Sequence, residues 1–261
     1  MSIFPPFLVN YEDPIGPRYT GQYVKNEPSY SGSIKVVSYN IDFGEKVEQA
    51  LTELTKIEDL QNPDILLLQE MNEEGVEQMA QALKMNFVYY PASIHKHGRN
   101  FGNAILTTWP IKDDKKVILP HRAPLNRQMR ISLAATLTIN GLDILTHCAH
   151  TEIYMTTRRL RNAQVSAITD DVDTRNPYVI VGGDFNTVTN RGIRRLVEQF
   201  AEIGLTRASK GAGPTVKKLG FSPCAADHIF TRGMKVITYG SPNDTTASDH
   251  YPVWVQLTPI L

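Results

Sequence analysis

The sequence contains two cysteines in 261 residues, Cys148 and Cys224, and neither stands in a CxxC or histidine-spaced cluster. That scarcity excludes a disulfide framework and a structural zinc site, and makes a reducing compartment the expectation. Long apolar runs are missing as well. Nothing approaches the roughly 18 residues that cross a bilayer, and the start, MSIFPPFLVNYEDP, lacks the basic and apolar regions of a signal peptide. The expectation is a cytoplasmic protein with no integral membrane segment. Neither sign of charge is in excess: 27 Lys+Arg balance 27 Asp+Glu. Bulk electrostatics therefore gives no drive toward nucleic acid, whose binding grows with the number of phosphates neutralised, although a local basic patch is compatible with the balance. A GxSxG elbow, an HExxH pair and a P-loop are all absent, as are repeats, low-complexity tracts and interdomain linkers.

The chain is 41% hydrophobic and 21% charged, a composition that buries a sizeable core. Residues 1–33 interleave Pro5, Pro6, Pro14, Pro17 and Pro28 with Tyr11, Tyr19, Tyr23 and Tyr30. Proline removes backbone donors and fixes φ, so this is an extended arm that packs on the domain or frays. Residues 34–261 form one domain, expected to be a monomer. IKVVSYNI reads as a buried strand. Val47, Ala50, Leu51, Leu54, Ile57 and Leu60 recur at three- and four-residue spacing, which predicts a helix of about four turns. After Pro63, DILLLQE is a continuous apolar run, as in a strand covered on both faces. A second helix through Val76, Met79, Ala80 and Leu83 precedes strands at FVYYP, NAILTT and KKVILP. Asn140-Gly141 between two alternating runs, RISLAATLTI and LDILTHCAH, marks a hairpin with a type I′ turn. A helix through Leu160, Val165, Ile168 and Val172, the strand YVIVGGD, a helix near 191–201, and strands at AADHIFT, MKVITYG and YPVWVQL complete an α/β chain.

Nearly every apolar strand carries a polar residue at one end. Asn40 and Asp42 follow KVVSY, Glu70 closes DILLLQ, His147 and His150 follow LDIL, and Asp184 and Asn186 follow YVIVGG. Asp227 opens a strand, and Asp249 and His250 precede YPVWVQL. Side by side in a sheet, these ends share one cleft. Gathered carboxylates repel one another unless a cation sits among them, and oxygen-only ligation without cysteine suits magnesium or manganese. Such a cation beside imidazoles and carboxamides is equipped for phosphoryl chemistry. Each element alone is commonplace: Gly-Asp-Phe-Asn is usually a turn, and Ser-Asp-His usually a cap. Their joint occurrence carries the argument.

The series SYNID, LLLQE, GNAILTTWPI, LTHCAHTE followed by RRLRNAQ, VGGDFNT, AADHIF and ASDHYPVW resembles the endonuclease/exonuclease/phosphatase superfamily, also called deoxyribonuclease I-like, over about residues 34–257. The resemblance implies a four-layer α/β sandwich, two mixed sheets packed face to face with helices outside, and an active site at one edge. It places Asn40 and Glu70 at a metal site, with Asp42 and Asp249 contributing, and magnesium (or manganese) as the cofactor. By the same resemblance Asp184 positions the attacking water, Asn186 binds phosphate, His250 contacts the scissile phosphate, and Asp227 orients the other histidine. His150, spaced correctly from Glu152, Arg159 and Gln164, fits that histidine better than His147, which is left as a neighbour or alternate. The implied activity is metal-dependent hydrolysis of a phosphoric ester by in-line water attack.

The substrate is open: first a phosphodiesterase or nuclease acting on nucleic acid or nucleotide, second a sphingomyelinase-like or inositol-phosphatase-like hydrolase of a lipid headgroup or sugar phosphate. A non-catalytic binding member is disfavoured because every acidic and histidine position is present. Specificity is expected in loops 92–102, 120–130, 187–195 and 209–222 and in the turn after Glu152. Their positive charges are Lys96, Arg99, Arg122, Arg127, Arg130, Arg191, Arg194, Arg195, Lys217 and Lys218. Loops 92–102 and 120–130 would form an anionic-substrate rim, while Arg194 and Arg195 read as solvated helix surface. Arg99, Arg122, Asn103 and His147 are further candidates for substrate contact.

Overall fold

Apolar runs in this chain become strands buried on both faces, and the alternation within them shows why. In a computed structural model of the chain, which describes residues 9–95, 98–124, 126–153, 156–217 and 224–260, thirteen strands form two sheets. In chain order the strands are β1 (Tyr19–Gly21), β2 (Ile34–Asn40), β3 (Ile65–Met71), β4 (Asn86–Ile94), β5 (Asn100–Thr107), β6 (Ile111–Ile118) and β7 (Ile131–Ile139). There follow β8 (Leu142–His150), β9 (Val179–Asp184), β10 (Thr206–Arg207), β11 (Asp227–Arg232), β12 (Met234–Gly240) and β13 (Val253–Pro259). The helices are α1 (Val47–Lys56), α2 (Glu73–Leu83), α3 (Arg158–Asp171) and α4 (Asn190–Glu202). The sheet orders are β1-β4-β5-β3-β2-β13-β12 and β10-β11-β9-β8-β7-β6.

Val36, Leu67, Ile105, Leu133, Cys148, Ile180 and Val255 fill the space between the sheets. Their neighbours one residue along, such as Val37, Leu66 and Leu68, face α1 and α2, while Ala149, Val179 and Val181 face α3 and α4. This is the four-layer α/β sandwich expected, and the period of two explains why the inner strands carry no polar face. Each fully buried side chain of this kind stabilises the fold by about 1.5–3 kcal/mol relative to exposure.

One difference from the sequence pattern has a local cause. The predicted four-turn helix ends at Lys56, because Ile57 turns extended (ψ 117°), and a short 3-10 turn over Glu58–Leu60 completes the apolar stripe. The described part of the arm, from residue 9, packs on the domain: Tyr19–Gly21 adds an edge strand to β4, Arg18 pairs with Asp114 at 2.6 Å, and the buried Lys116 ammonium donates to the carbonyls of Tyr11 (3.1 Å) and Gly16 (2.6 Å). The Asn140-Gly141 turn forms as expected, with φ of +49° and +77°.

Two strand pairs are parallel, β2 with β3 and β8 with β9. α1 follows β2 and α3 follows β8, so the C-terminal ends of all four strands gather at one edge of the sandwich.

Candidate active site

Register builds the second sheet's half of the site. His150 pairs with Asp184, and Asp184 with Asp227, so one imidazole and two carboxylates stand in a row across β8, β9 and β11. The first sheet meets that row through Asn40, whose amide Nδ2 donates to Asp184 Oδ2 (3.1 Å) and to Glu70 Oε1 (3.2 Å). Glu70 reaches this position through a bulge. The β3–β5 register slips by one residue between Leu68 and Met71, and Glu70 takes φ +60°, which swings the carboxylate out of the strand alternation. Asp42, Phe43 and Asn186 also carry positive φ. Backbone strain of about 1–3 kcal/mol per residue is typical of functional sites.

Asp184 is held on all sides. Its Oδ1 accepts from the Asn186 backbone N–H at 2.8 Å, and its Oδ2 from the Asn186 amide at 3.2 Å. His150 Nε2 lies 3.6 Å and His250 Nε2 3.9 Å from the same oxygen. The histidine that Asp227 orients is His250, not His150 as the resemblance implied: His250 donates from Nδ1 to Asp227 Oδ2 at 2.8 Å, whereas His150 Nδ1 faces Arg130, and Thr215 Oγ1 accepts the Asp227 backbone N–H at 3.0 Å. Lys217 Nζ, bonded to the carbonyls of Thr245 (2.5 Å) and Ser248 (2.6 Å), fixes the loop that carries Asp249 and His250.

Burial and charge give these groups different protonation behaviour. Burial, and then the facing Asp227, push the Asp184 carboxyl up to about 7. Glu70 is raised mainly by burial, against Arg130 and Asn40. Burial works to lower His250, but Asp227 and Asp184 outweigh it and hold its pKa well above the usual imidazole value. His150 goes the other way: burial, Arg130 and His250 keep it neutral. Arg130 Nη1 lies 3.3 Å from His150 Nδ1. A guanidinium only donates, so Nδ1 accepts and Nε2 carries the proton, facing Glu70 and Asp184.

Could these residues hold a cation? The ligand atoms of Asp184, Asp227 and His250 converge within 4.8 Å, but His250 Nδ1 is already hydrogen-bonded to Asp227 Oδ2. The oxygen donors on the other side fit a hard cation better. Glu70 and Asp184 are raised carboxyls sharing one amide hydrogen-bond donor, Asn40, and Asp249 adds negative charge beside Glu70. Asn40 Nδ2 here does part of what a cation would do. The Asn40 Oδ1 accepts the Asp42 backbone N–H at 3.1 Å, which places Asp42 at the same edge.

Residues 37–250 match the model of the Endonuclease/Exonuclease/phosphatase family. The chain belongs to this family. No curated protein matches it individually by sequence. Among solved structures, an endonuclease/exonuclease/phosphatase from Beutenbergia cavernae is 19% identical with a TM-score of 0.70, covering 87% of this chain and 72% of that one. A mannosyl-6-phosphatase from Bacteroides thetaiotaomicron is 19% identical at TM-score 0.68, covering 86% and 99%. TDP2 of D. rerio, complexed with a single-strand DNA product, is 17% identical at TM-score 0.67, covering 87% and 100%. At these identities the likeness is one of fold.

In this family member the structure brings together Asn40, Glu70, His150, Asp184, Asn186, Asp227 and His250, with Asp42 and Asp249 at the margin. Other expected residues lie elsewhere. His147 is on the opposite face of β8 from His150, because the two stand three positions apart along a strand of period two. It is buried beneath α3 between Ser132 Oγ (3.3 Å) and Asp171 (3.7 Å), away from the cleft. Asn103 is also buried, its amide donating to the carbonyls of Ile131 and Cys148 at 3.0 Å each, so it staples the two sheets. Arg122 pairs with Glu12 of the arm, and Arg99 is exposed beside Gly44, Asn72 and Glu74. Lys96 and Lys218 lie outside the described residues. Arg130, expected on the substrate rim, instead points inward, sits over the Phe101 ring and reaches Glu152 at 3.6 Å. Counting on from the Ser132–Ala149 pair sets Ile131, not Arg130, opposite His150, and the Arg130 guanidinium reaches the imidazole diagonally, from the next residue along.

Proposed function

We propose that this protein is a divalent-metal-dependent phosphoesterase that hydrolyses a phosphodiester by in-line attack of water. The observation that carries this is the convergence, from both sheets, of a buried carboxylate (Asp184) on one donor amide and two imidazoles of opposite protonation state. Asp184, fixed through Asn40 and Asn186, orients the water and accepts its proton. A carboxyl raised to about 7 is suited to that exchange near neutral pH. His250, kept cationic by Asp227, meets negative charge growing on the non-bridging phosphate oxygens, and neutral His150 adds a hydrogen bond from Nε2–H. Asn186 has its amide turned to Asp184 and to the Thr151 carbonyl (3.0 Å), so its role in this arrangement is to hold the carboxylate.

Glu70, Asn40 and Asp249, assisted by Asp42, are the residues that would hold magnesium or manganese. When bound, such an ion neutralises phosphate charge and stabilises the leaving oxygen. Nucleic acid or nucleotide is the proposed substrate class, with lipid headgroups and sugar phosphates as the competing arms of the test. Single- and double-stranded DNA, RNA, sphingomyelin, inositol phosphates and bis-p-nitrophenyl phosphate are offered with magnesium, manganese or EDTA. Metal-dependent hydrolysis that Glu70→Gln and Asp184→Asn both abolish is the expected result. Full activity in either variant, or in EDTA, overturns the proposal.

A further inference from the structure

Beyond the catalytic row, β8 and β9 run parallel and each leads into a helix on the same outer face. α3 and α4 therefore lie side by side with their N-termini at the catalytic edge. Gln199 of α4 donates to the Asn162 carbonyl of α3 at 3.2 Å and fixes this parallel alignment. Both first turns lack an acidic residue, although helix N-termini favour acids and disfavour cations. Arginines stand there instead: Arg158, Arg159 and Arg161 in a stretch with no acid from 153 to 169, and Arg191, Arg194 and Arg195 in one with none from 185 to 197.

Arg158, Arg191 and Arg195 line one recess of about 100 Å3 with Thr187, Asn162 and Gln199. Desolvation lowers the Arg195 pKa, the facing Arg158 and Arg191 guanidiniums lower it further, and Glu198 opposes them. Among the described residues, none of the three forms an ion pair. Arg161 is different, since it donates to the Thr156 carbonyl at 2.7 Å. The recess thus concentrates like charge at two helix N-termini, where folding alone selects against it. Thr187, the residue after Asn186 of the catalytic row, is part of its lining.

We propose that this recess binds a second, uncleaved phosphate of the substrate, so that the natural substrate carries phosphates in series, as a single nucleic-acid strand does. This rests on the phosphoesterase reading above. It also gives Arg195 a function that a solvated helix surface would not have, and it places the positive field locally in a chain of zero net charge.

Two measurements test it. Fluorescein-labelled (dT)8 is titrated in EDTA, where no cleavage occurs, against the wild type, the pair Arg158→Ala/Arg195→Ala, and Lys112→Ala/Arg175→Ala as a charge-matched control on two exposed cations paired with Asp143 and Asp173. The double variant should bind at least tenfold more weakly, and its log affinity against log salt should flatten by about 0.7 for the lost phosphate contact. The control should match the wild type. Hydrolysis is then compared on (dT)8 and on thymidine 5′-(p-nitrophenyl phosphate), which has one phosphate. The KM of the double variant should rise at least tenfold more on the octamer than on the ester. Unchanged (dT)8 affinity and salt slope overturn the recess, as does an equal loss on both substrates. Tighter competition by inositol hexakisphosphate than by (dT)8 at equal charge overturns the strand. If the wild type hydrolyses nothing, the phosphoesterase reading fails, and the binding titration still decides the recess.

Discussion

Replacing Gly183 with alanine tests how tightly fold and site are joined. Gly183 lies between the row residue Asp184 and Gly182, opposite Ala149 on β8. Its φ is +142°, and a Cβ there would stand 1.9 Å from the Ala149 carbonyl oxygen, a backbone atom that cannot swing aside. The dihedral costs about 1–3 kcal/mol, and forcing β8 from β9 adds about 1–3 kcal/mol, as other overpacked sites do. The sum, about 2–6 kcal/mol, is a large part of a typical stability of about 5–15 kcal/mol. At roughly 2–4 °C per kcal/mol for a domain of this size, the melting temperature should fall by on the order of 10 °C. Gly141→Ala is the internal control: its φ is +77° but no atom lies within 4 Å of the added methyl, so only a cost of about 1 kcal/mol applies. The same displacement would shift His150 from its place 3.6 Å from Asp184, and a shift of about 1 Å costs on the order of 100-fold in rate. Thermal melts by circular dichroism and hydrolysis of bis-p-nitrophenyl phosphate read both effects. A Gly183→Ala protein that melts with Gly141→Ala and retains full activity would refute the reasoning.

Three further outcomes are expected. Magnesium should raise the wild-type melting temperature saturably, by the equivalent of about 2.7 kcal/mol at a hundredfold excess over Kd, and Glu70→Gln should lose that response; differential scanning fluorimetry decides. His150→Asn should cost on the order of 100-fold or more in kcat, whereas His147→Asn, on the other face of β8, should cost far less, and equal losses would contradict the assignment. Asp184 is raised from 3.8 to about 7, so between those pH values the folded chain keeps a proton that the unfolded chain has released. Its contribution to stability is complete at low pH and lost as pH rises through that window. In EDTA, the stability of Asp184→Asn relative to wild type should therefore climb from pH 4 to 7 by on the order of a few kcal/mol. A pH-independent difference in urea unfolding would remove the claim.

The polar residues at strand ends, the alternation of strands and helices and the Asn-Gly hairpin were legible because each is a local pattern: period two, period 3.6, or a turn dipeptide. Order along the chain was enough to mark Asn40, Glu70, His150, Asp184, Asn186, Asp227 and His250. What those residues do to one another was decided only by tertiary structure. The contact of Asn40 with Asp184 spans 144 positions and two sheets. The reach of Glu70 depends on a bulge that its own sequence does not announce, and the opposite charge states of His150 and His250 depend on which partner, Arg130 or Asp227, the fold sets beside each. The same limit hid the pairing of Arg122 with the arm, the stapling role of Asn103, and the single recess shared by arginines of two helices. A sequence specifies periods and apolar faces locally, but Coulomb energy and hydrogen bonds act through space, and only the packing of the two sheets fixes those distances.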